Sequence, residues 1–342
     1  MGLCGRDCEK CNLNLHCQGC SLCEMPLCAE DCGRCFSLCP ERAGSFGYLR
    51  KIGGGRLELL GNRKHGLPAN IPVLPDRLTE RIHVRDIVGI HGGNMLSSNG
   101  ENVAKVYRTK GLQEALNLAQ PVKGVLQFYV KDRTLEGVWD KRQDVICQLK
   151  EFPWEVVIAP NFSVYEDAPR IDHLYNIKRS SIVYNEMIEA GIPAVPDISW
   201  YNRIDLDQWI REINEKDIHC IAFSFQTVGT KTKASNTYLN YMTGFKYLTE
   251  RISPEIEVVV AGVASPSRVK ILQQLCQNRI SVLNQTAYVH SRRGILSMTD
   301  KSGDVLISKN DLLLRNIGFY DEAYTENLRE DLQCQNQETA EA

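Results

Sequence analysis

Two short segments of this chain repeat one pattern. Pro160-Asn161-Phe162-Ser163-Val164-Tyr165 and Pro196-Asp197-Ile198-Ser199-Trp200-Tyr201 both run proline, amide or carboxylate, apolar residue, serine, apolar residue, tyrosine, at a spacing of 36 residues. Each closes an apolar run, so Asn161 and Asp197 stand at equivalent steps just past two neighbouring buried segments. A carboxylate among apolar residues must find a partner or let its pKa move toward neutrality, the condition an acid-base catalyst needs. Asp197 is therefore the candidate catalytic or charge-stabilising group, with Asn161 beside it. The competing roles are structural: a loop cap for Asp197 and a backbone hydrogen bond for Asn161. Asp167 and Asp172 instead suit the first turn of a helix, where carboxylates satisfy exposed N–H groups.

A second chemistry sits at the start of the chain. Ten of the 14 cysteines, Cys4, Cys8, Cys11, Cys17, Cys20, Cys23, Cys28, Cys32, Cys35 and Cys39, fall within the first forty residues. Spacings of two or three residues let thiolates converge on one ion, so a structural metal is expected here. Cys8 and Cys11 with Cys17 and Cys20 suit zinc. The Cys17, Cys20, Cys23 series and the Cys39-Pro40 ending suit an iron-sulfur cluster, and both metals stay open. So short a segment buries too little to fold without that metal.

The elements that would position Asp197 read as follows. Apolar runs around residues 83–91, 122–130, 156–163, 194–200, 220–226, 256–263 and 280–288 read as buried strands, because a strand covered on both faces need not alternate. Helical segments separate them. This alternation predicts a parallel α/β sheet with right-handed crossovers, and seven or eight units favour a (β/α)8 TIM-like barrel, complete or incomplete. Residues 304–308 are the candidate eighth strand. The chain divides into a cysteine-rich metal-binding module (1–42), a Gly, Pro and Arg-rich connector (43–80), the barrel (81–318) and an acidic, partly disordered tail (319–342).

At the strand ends stand His91, Asn94, Tyr129, Asn161, Tyr165, Trp200, Gln226, Asn284 and Tyr288, a polar set suited to binding a substrate, with aromatics able to stack on a planar ligand. No Gly-x-Gly-x-x-Gly follows the first strand, so no nucleotide cofactor is expected. The net charge of −2 excludes a global field for nucleic acid, so phosphate contact would fall to local pairs: Lys131/Arg133, Lys178/Arg179, Lys231/Lys233 and Arg292/Arg293. No membrane span or apolar signal region is evident, and a cytoplasmic location is expected. No obligate protein partner is evident.

The stretch 122–271, through PNFSVYEDAPR, AGIPAVPDISWYN and VVVAGVAS, looks like a family of bacterial and phage proteins known as a domain of unknown function. That family often carries Asp at the position of Asn161 and Asn at that of Asp197, so here the carboxylate has changed strands. A cysteine-rich start joined to such a barrel also resembles the bacterial anti-phage DNA glycosylases that remove glucosylated hydroxymethylcytosine from T-even phage DNA. The resemblance implies phage DNA as partner and hydrolysis of an N-glycosidic bond to leave an abasic site. Asp197 would stabilise the sugar cation or activate water, while Asn161, Gln226 and Asn284 read a flipped base and Trp200 or Tyr165 stacks on it. Two other classes remain: an iron-sulfur redox protein, and a non-catalytic nucleic-acid adaptor.

Overall fold

The computed structural model describes residues 48–165, 170–226, 236–297 and 307–340. The cysteine-rich module and the Lys231/Lys233 pair lie outside the described residues.

Eight parallel strands form one sheet: β1 (Asn70–Leu74), β2 (Ile87–His91), β3 (Lys123–Gln127), β4 (Trp154–Ile158), β5 (Ala194–Val195), β6 (Cys220–Ser224), β7 (Glu257–Ala261) and β8 (Ile280–Asn284). Their order around the sheet is the order of the chain, β1 pairing with β8. The remaining seam, between β5 and β6, is closed by a bridge from Asp197 to Ala222. There Ile198 N–H donates to Ala222 O at 2.9 Å and Ala222 N–H to Pro196 O at 2.8 Å. The sheet is therefore a (β/α)8 barrel. β5 is only two residues long, flanked by Pro193 and Pro196, which have no N–H for a ladder. Asn62, below β5, reinforces the seam: its amide donates to Cys220 O at 2.7 Å, and its oxygen accepts from His219 N at 2.8 Å.

All eight strands send one face inward. Val73, Ile87, Val125, Val156, Val195, Ala222, Val259 and Leu283 pack together along the axis. The other face of the strands, with residues such as Val88, Leu126, Val157, Ile221, Val258 and Val282, packs in a larger shell with helix residues. Both faces are apolar, which explains why the strands read as continuous runs.

Several expectations are corrected. The eighth strand of the sheet is β1, from within the segment expected to be a connector; residues 304–306 of the expected strand lie outside the described residues. Pro72 inside β1 hides it, because proline within a run argues against a strand. The helical segment between β3 and β4 is two helices, Asp132–Asp140 and Arg142–Leu149, parted at Lys141, whose φ of −115° is not helical. The strand expected over 280–288 stops at Asn284, and Tyr288 belongs to the helix Thr286–Arg292. The tail expected from residue 319 begins within the helix Lys309–Ala340. Tyr320 and Tyr324 on it are buried, and the Tyr324 hydroxyl donates to Ala264 O at 2.7 Å.

Candidate active site

Asp197 lies two steps beyond Val195, so the period of the strand turns it to the same inward side. It is 1% exposed. Burial raises its carboxyl pKa to about 7, against the opposing pull of the Asn161 amide and the Tyr129 hydroxyl, which favour the anion. Neither carboxylate oxygen has a hydrogen bond of regular geometry, nor does the Tyr129 hydroxyl. The three groups face one another loosely, a spacing that a ligand can tighten. Tyr129 follows β3 on its inward side and packs with the axial residues. Burial first, then the charge of Asp197, raises its pKa well above that of a free phenol, with Ser224 of β6 opposing.

The loop after β4 that carries Asn161 is held from outside. Phe162 is buried, and the Arg179 guanidinium lies 4.1 Å from its ring centre. Arg179 in turn makes a two-pronged bond to Glu136, at 2.6 and 2.9 Å, and reaches Asn176 at 2.6 Å. Asn176 donates to Ser163 O at 2.6 Å, and the Ser163 hydroxyl to Asp132 at 2.7 Å. The Tyr165 hydroxyl also donates to Asp132, leaving its ring half-exposed at the rim. Arg179 and Lys178, expected as a phosphate-binding pair, are therefore buried structural cations. Lys178 donates to Arg56 O at 2.7 Å.

Across the mouth, at the ends of β1 and β2, His91 is half-buried and Asp76 exposed. The Asp76 carboxylate receives Asn94 Nδ2 at 3.4 Å and the Tyr288 hydroxyl at 3.5 Å. Tyr107, from the helix Lys105–Leu116, has its pKa raised to about 12, by burial first and then by Asp76. Sequence reasoning missed Asp76 because it missed β1; a carboxylate two residues past Val-Leu was the available signal.

Two expected contacts are not at the mouth. Asn284 alternates with the inward Leu283, so it faces the helices, 0% exposed. It donates to Asn70 at 3.2 Å and accepts from Thr286 N–H at 2.9 Å, which leaves it as a brace rather than a reader of bases. Trp200 packs against Tyr241, ring centres 5.3 Å apart, and over Gly244, where a Cβ would come within 2.4 Å of the indole. It is shell packing rather than a stacking platform. Gln226 is exposed just past β6.

Lys131 and Arg133 are exposed past β3, and Arg292 lies over the Tyr288 ring at 4.8 Å. Among the described residues no three His, Cys, Asp or Glu side chains converge as a metal site. A cleft of about 820 Å³ lies at the other end of the barrel, lined in part by Asn62, Arg63, Ile192 and His219. It sits where strands begin, away from the strand-end groups that converge on Asp197.

The family model described as Domain of unknown function (DUF4417) matches residues 99–277, more than half of the chain. The chain belongs to this family. The match takes in Tyr129, Asn161, Asp197 and Ser224, so one wall of the mouth lies in the DUF4417 region, whereas β1, β2 and β8 lie outside it. No curated protein sequence matches. Among solved structures the chain is similar to the YdjI aldolase from Escherichia coli K12, at 10% identity, covering 82% of this chain and 93% of that one, TM-score 0.40. It is also similar to a cube-shaped, highly porous protein cage designed by fusing symmetric oligomeric domains, at 10% identity, 80% and 78% coverage, TM-score 0.33. Neither likeness bears on activity, and the barrel of this DUF4417 protein rests on its own strand order. Among its described residues no helix is long and apolar enough to cross a membrane.

Proposed function

We propose that this protein is a hydrolase of N-glycosidic bonds in which Asp197 activates water. The observation that carries the reading is a buried carboxyl at the strand-end mouth, with a pKa near 7, faced by the Asn161 amide and the Tyr129 hydroxyl. A group with that pKa is part ionised at neutral pH and strong enough as a base to take a proton from water. Its anion, in a water-poor site, also favours positive charge developing on a sugar. When a ligand tightens the site, Asn161 and Tyr129 close on the carboxylate and orient its proton. Tyr165 at the rim supplies an aromatic edge, and Lys131, Arg133 and Arg293 supply charge for a phosphate backbone.

The finer reading is a DNA glycosylase acting in the cytoplasm on glucosylated hydroxymethylcytosine of phage DNA, as an antiviral defence. The cysteine-rich module would bind zinc or an iron-sulfur cluster and brace or grip the duplex. The test is incubation with modified phage DNA and with plain DNA, followed by assay for released base and abasic sites. Release from modified DNA, rising with pH through about 7 as Asp197 ionises, is expected from wild type and not from Asp197→Asn. No release from either DNA, or an unimpaired Asp197→Asn, overturns the proposal.

A further inference from the structure

The hydrolase reading uses the wall made by β3 to β6 and, apart from Arg293 at the rim, leaves the other wall without a role. There the Gly92-Gly93 pair follows His91 at the end of β2. His91 pairs in register with Gln127, and Ile87, four residues earlier on the same strand, packs against the axial cluster. Four residues is an even number of steps, so His91 occupies an inward position.

The backbone then fixes the ring. Gly93 N–H donates to His91 Nδ1 at 3.0 Å. A backbone N–H can only donate, so Nδ1 must be an unprotonated acceptor, and a neutral ring carries its hydrogen on Nε2. Gly92 is needed for this turn, and Gly93 leaves the ring uncrowded. A Cβ on Gly93 would lie 3.0 Å from Nδ1 and Cε1 of the ring, and one on Gly92 would lie 2.6 Å from Gln127 O. Nε2 has no partner among the described residues, and the half-buried ring leaves it within reach of a ligand. Burial lowers the pKa of His91 and so favours the uncharged ring, against the opposing charge of Asp76.

We propose that His91 presents its Nε2–H to the carbonyl oxygen of the leaving base. The chemistry rests on the hydrolase reading; the ring geometry does not. In the step, water gives a proton to the Asp197 carboxylate while its oxygen bonds to the anomeric carbon. The C–N bond breaks, and its electron pair passes into the base and onto the carbonyl oxygen. His91 holds that oxyanion by a hydrogen bond and keeps its own proton. The base then takes up the proton that Asp197 removed from water. An uncharged donor suits this task, because a preset N–H strengthens its hydrogen bond as the charge grows.

Two measurements test the assignment. In the first, nitrogen-15 NMR of labelled full-length protein, with His91→Gln identifying the signals, should show the Nε2–H form between about pH 7 and 8. Titration with free cytosine should move the Nε2 signal. A charged ring or an Nδ1–H form overturns the geometry, and no response to cytosine overturns the contact with the base, in both cases whatever the activity.

In the second, His91→Gln, whose amide can place an N–H near the old Nε2, should lose less than about tenfold in kcat. His91→Leu should lose about 100-fold, the effect of removing one oxyanion donor. Both should keep the pH dependence set by Asp197. Equal losses in the two variants mean the ring merely packs, and overturn the donor role. If wild type releases no base at all, the hydrolase reading and the leaving-group role fall together, while NMR still decides the tautomer.

Discussion

Replacing Asp197 by Asn should make the protein more stable, and increasingly so as the pH rises. The carboxyl goes from an ordinary value of 3.8 to about 7 on folding, chiefly through burial. Between those values the folded state binds a proton that the unfolded state has released, so stability declines with increasing pH across that window. Roughly three pKa units at 1.36 kcal/mol each give a cost on the order of 4 kcal/mol above pH 7. With Asp197 1% exposed, little of this is relieved by solvent. The asparagine variant carries no such charge. Its stability should differ from wild type by a small constant at pH 4 and exceed it by up to about 4 kcal/mol more at pH 8.

His65 acts in the opposite direction, since burial lowers its pKa and its contribution is lost as the pH falls. That term is common to both proteins and cancels in the difference. Urea unfolding of both proteins followed by circular dichroism from pH 4 to 8 measures the quantity directly. A difference that stays flat with pH, or wild type proving the more stable at pH 8, would refute the account of Asp197 as a strained, buried carboxylate. The confirmed trend would mark a group kept at a cost to folding, which is characteristic of functional sites.

Three further outcomes are expected. Gly100→Ala places a Cβ 1.8 Å from Thr134 O at a φ of +75°, so the melting temperature should fall steeply, by the equivalent of about 3 kcal/mol or more; an unchanged melting curve contradicts the packing at this turn. Arg179→Lys loses the fork to Glu136 and the guanidinium over Phe162, and should lower base release about tenfold by loosening the Asn161 loop, more than it lowers the melting temperature. Metal analysis of the full chain should find zinc or iron that is lost when Cys8, Cys11, Cys17 and Cys20 become serine, with brown colour distinguishing a cluster from zinc; metal-free protein as isolated contradicts the module's expected role.

Much of the barrel was legible because its strands are covered on both faces, and seven of the eight stand as apolar runs between helical segments. The repeated Pro-(Asn/Asp) step singled out Asn161 and Asp197 just past adjacent strands, but not their relative height: Ile158 pairs with Val195, so Asn161 lies one residue further along than Asp197. The same double burial hid which face of a strand points to the axis. Val282 and Leu283 are equally apolar, so nothing in their run told Asn284 from an inward residue. Trp200 was misplaced for the same reason, sharing the parity of the outward Ile198 rather than that of Asp197. β1 was lost to Pro72, and with it Asp76.

The amino-acid sequence by itself determined the alternation of strand and helix, and the identity of the polar residues that end the strands, because both follow from local apolar patterning and turn chemistry. Only the tertiary structure decided which of those residues meet. Ring closure through a two-residue β5 and a proline-bearing β1 brings Tyr129 and Asn161 to the buried carboxyl of Asp197. The carboxyl's pKa near 7 arises there from exclusion of water by segments distant in the chain.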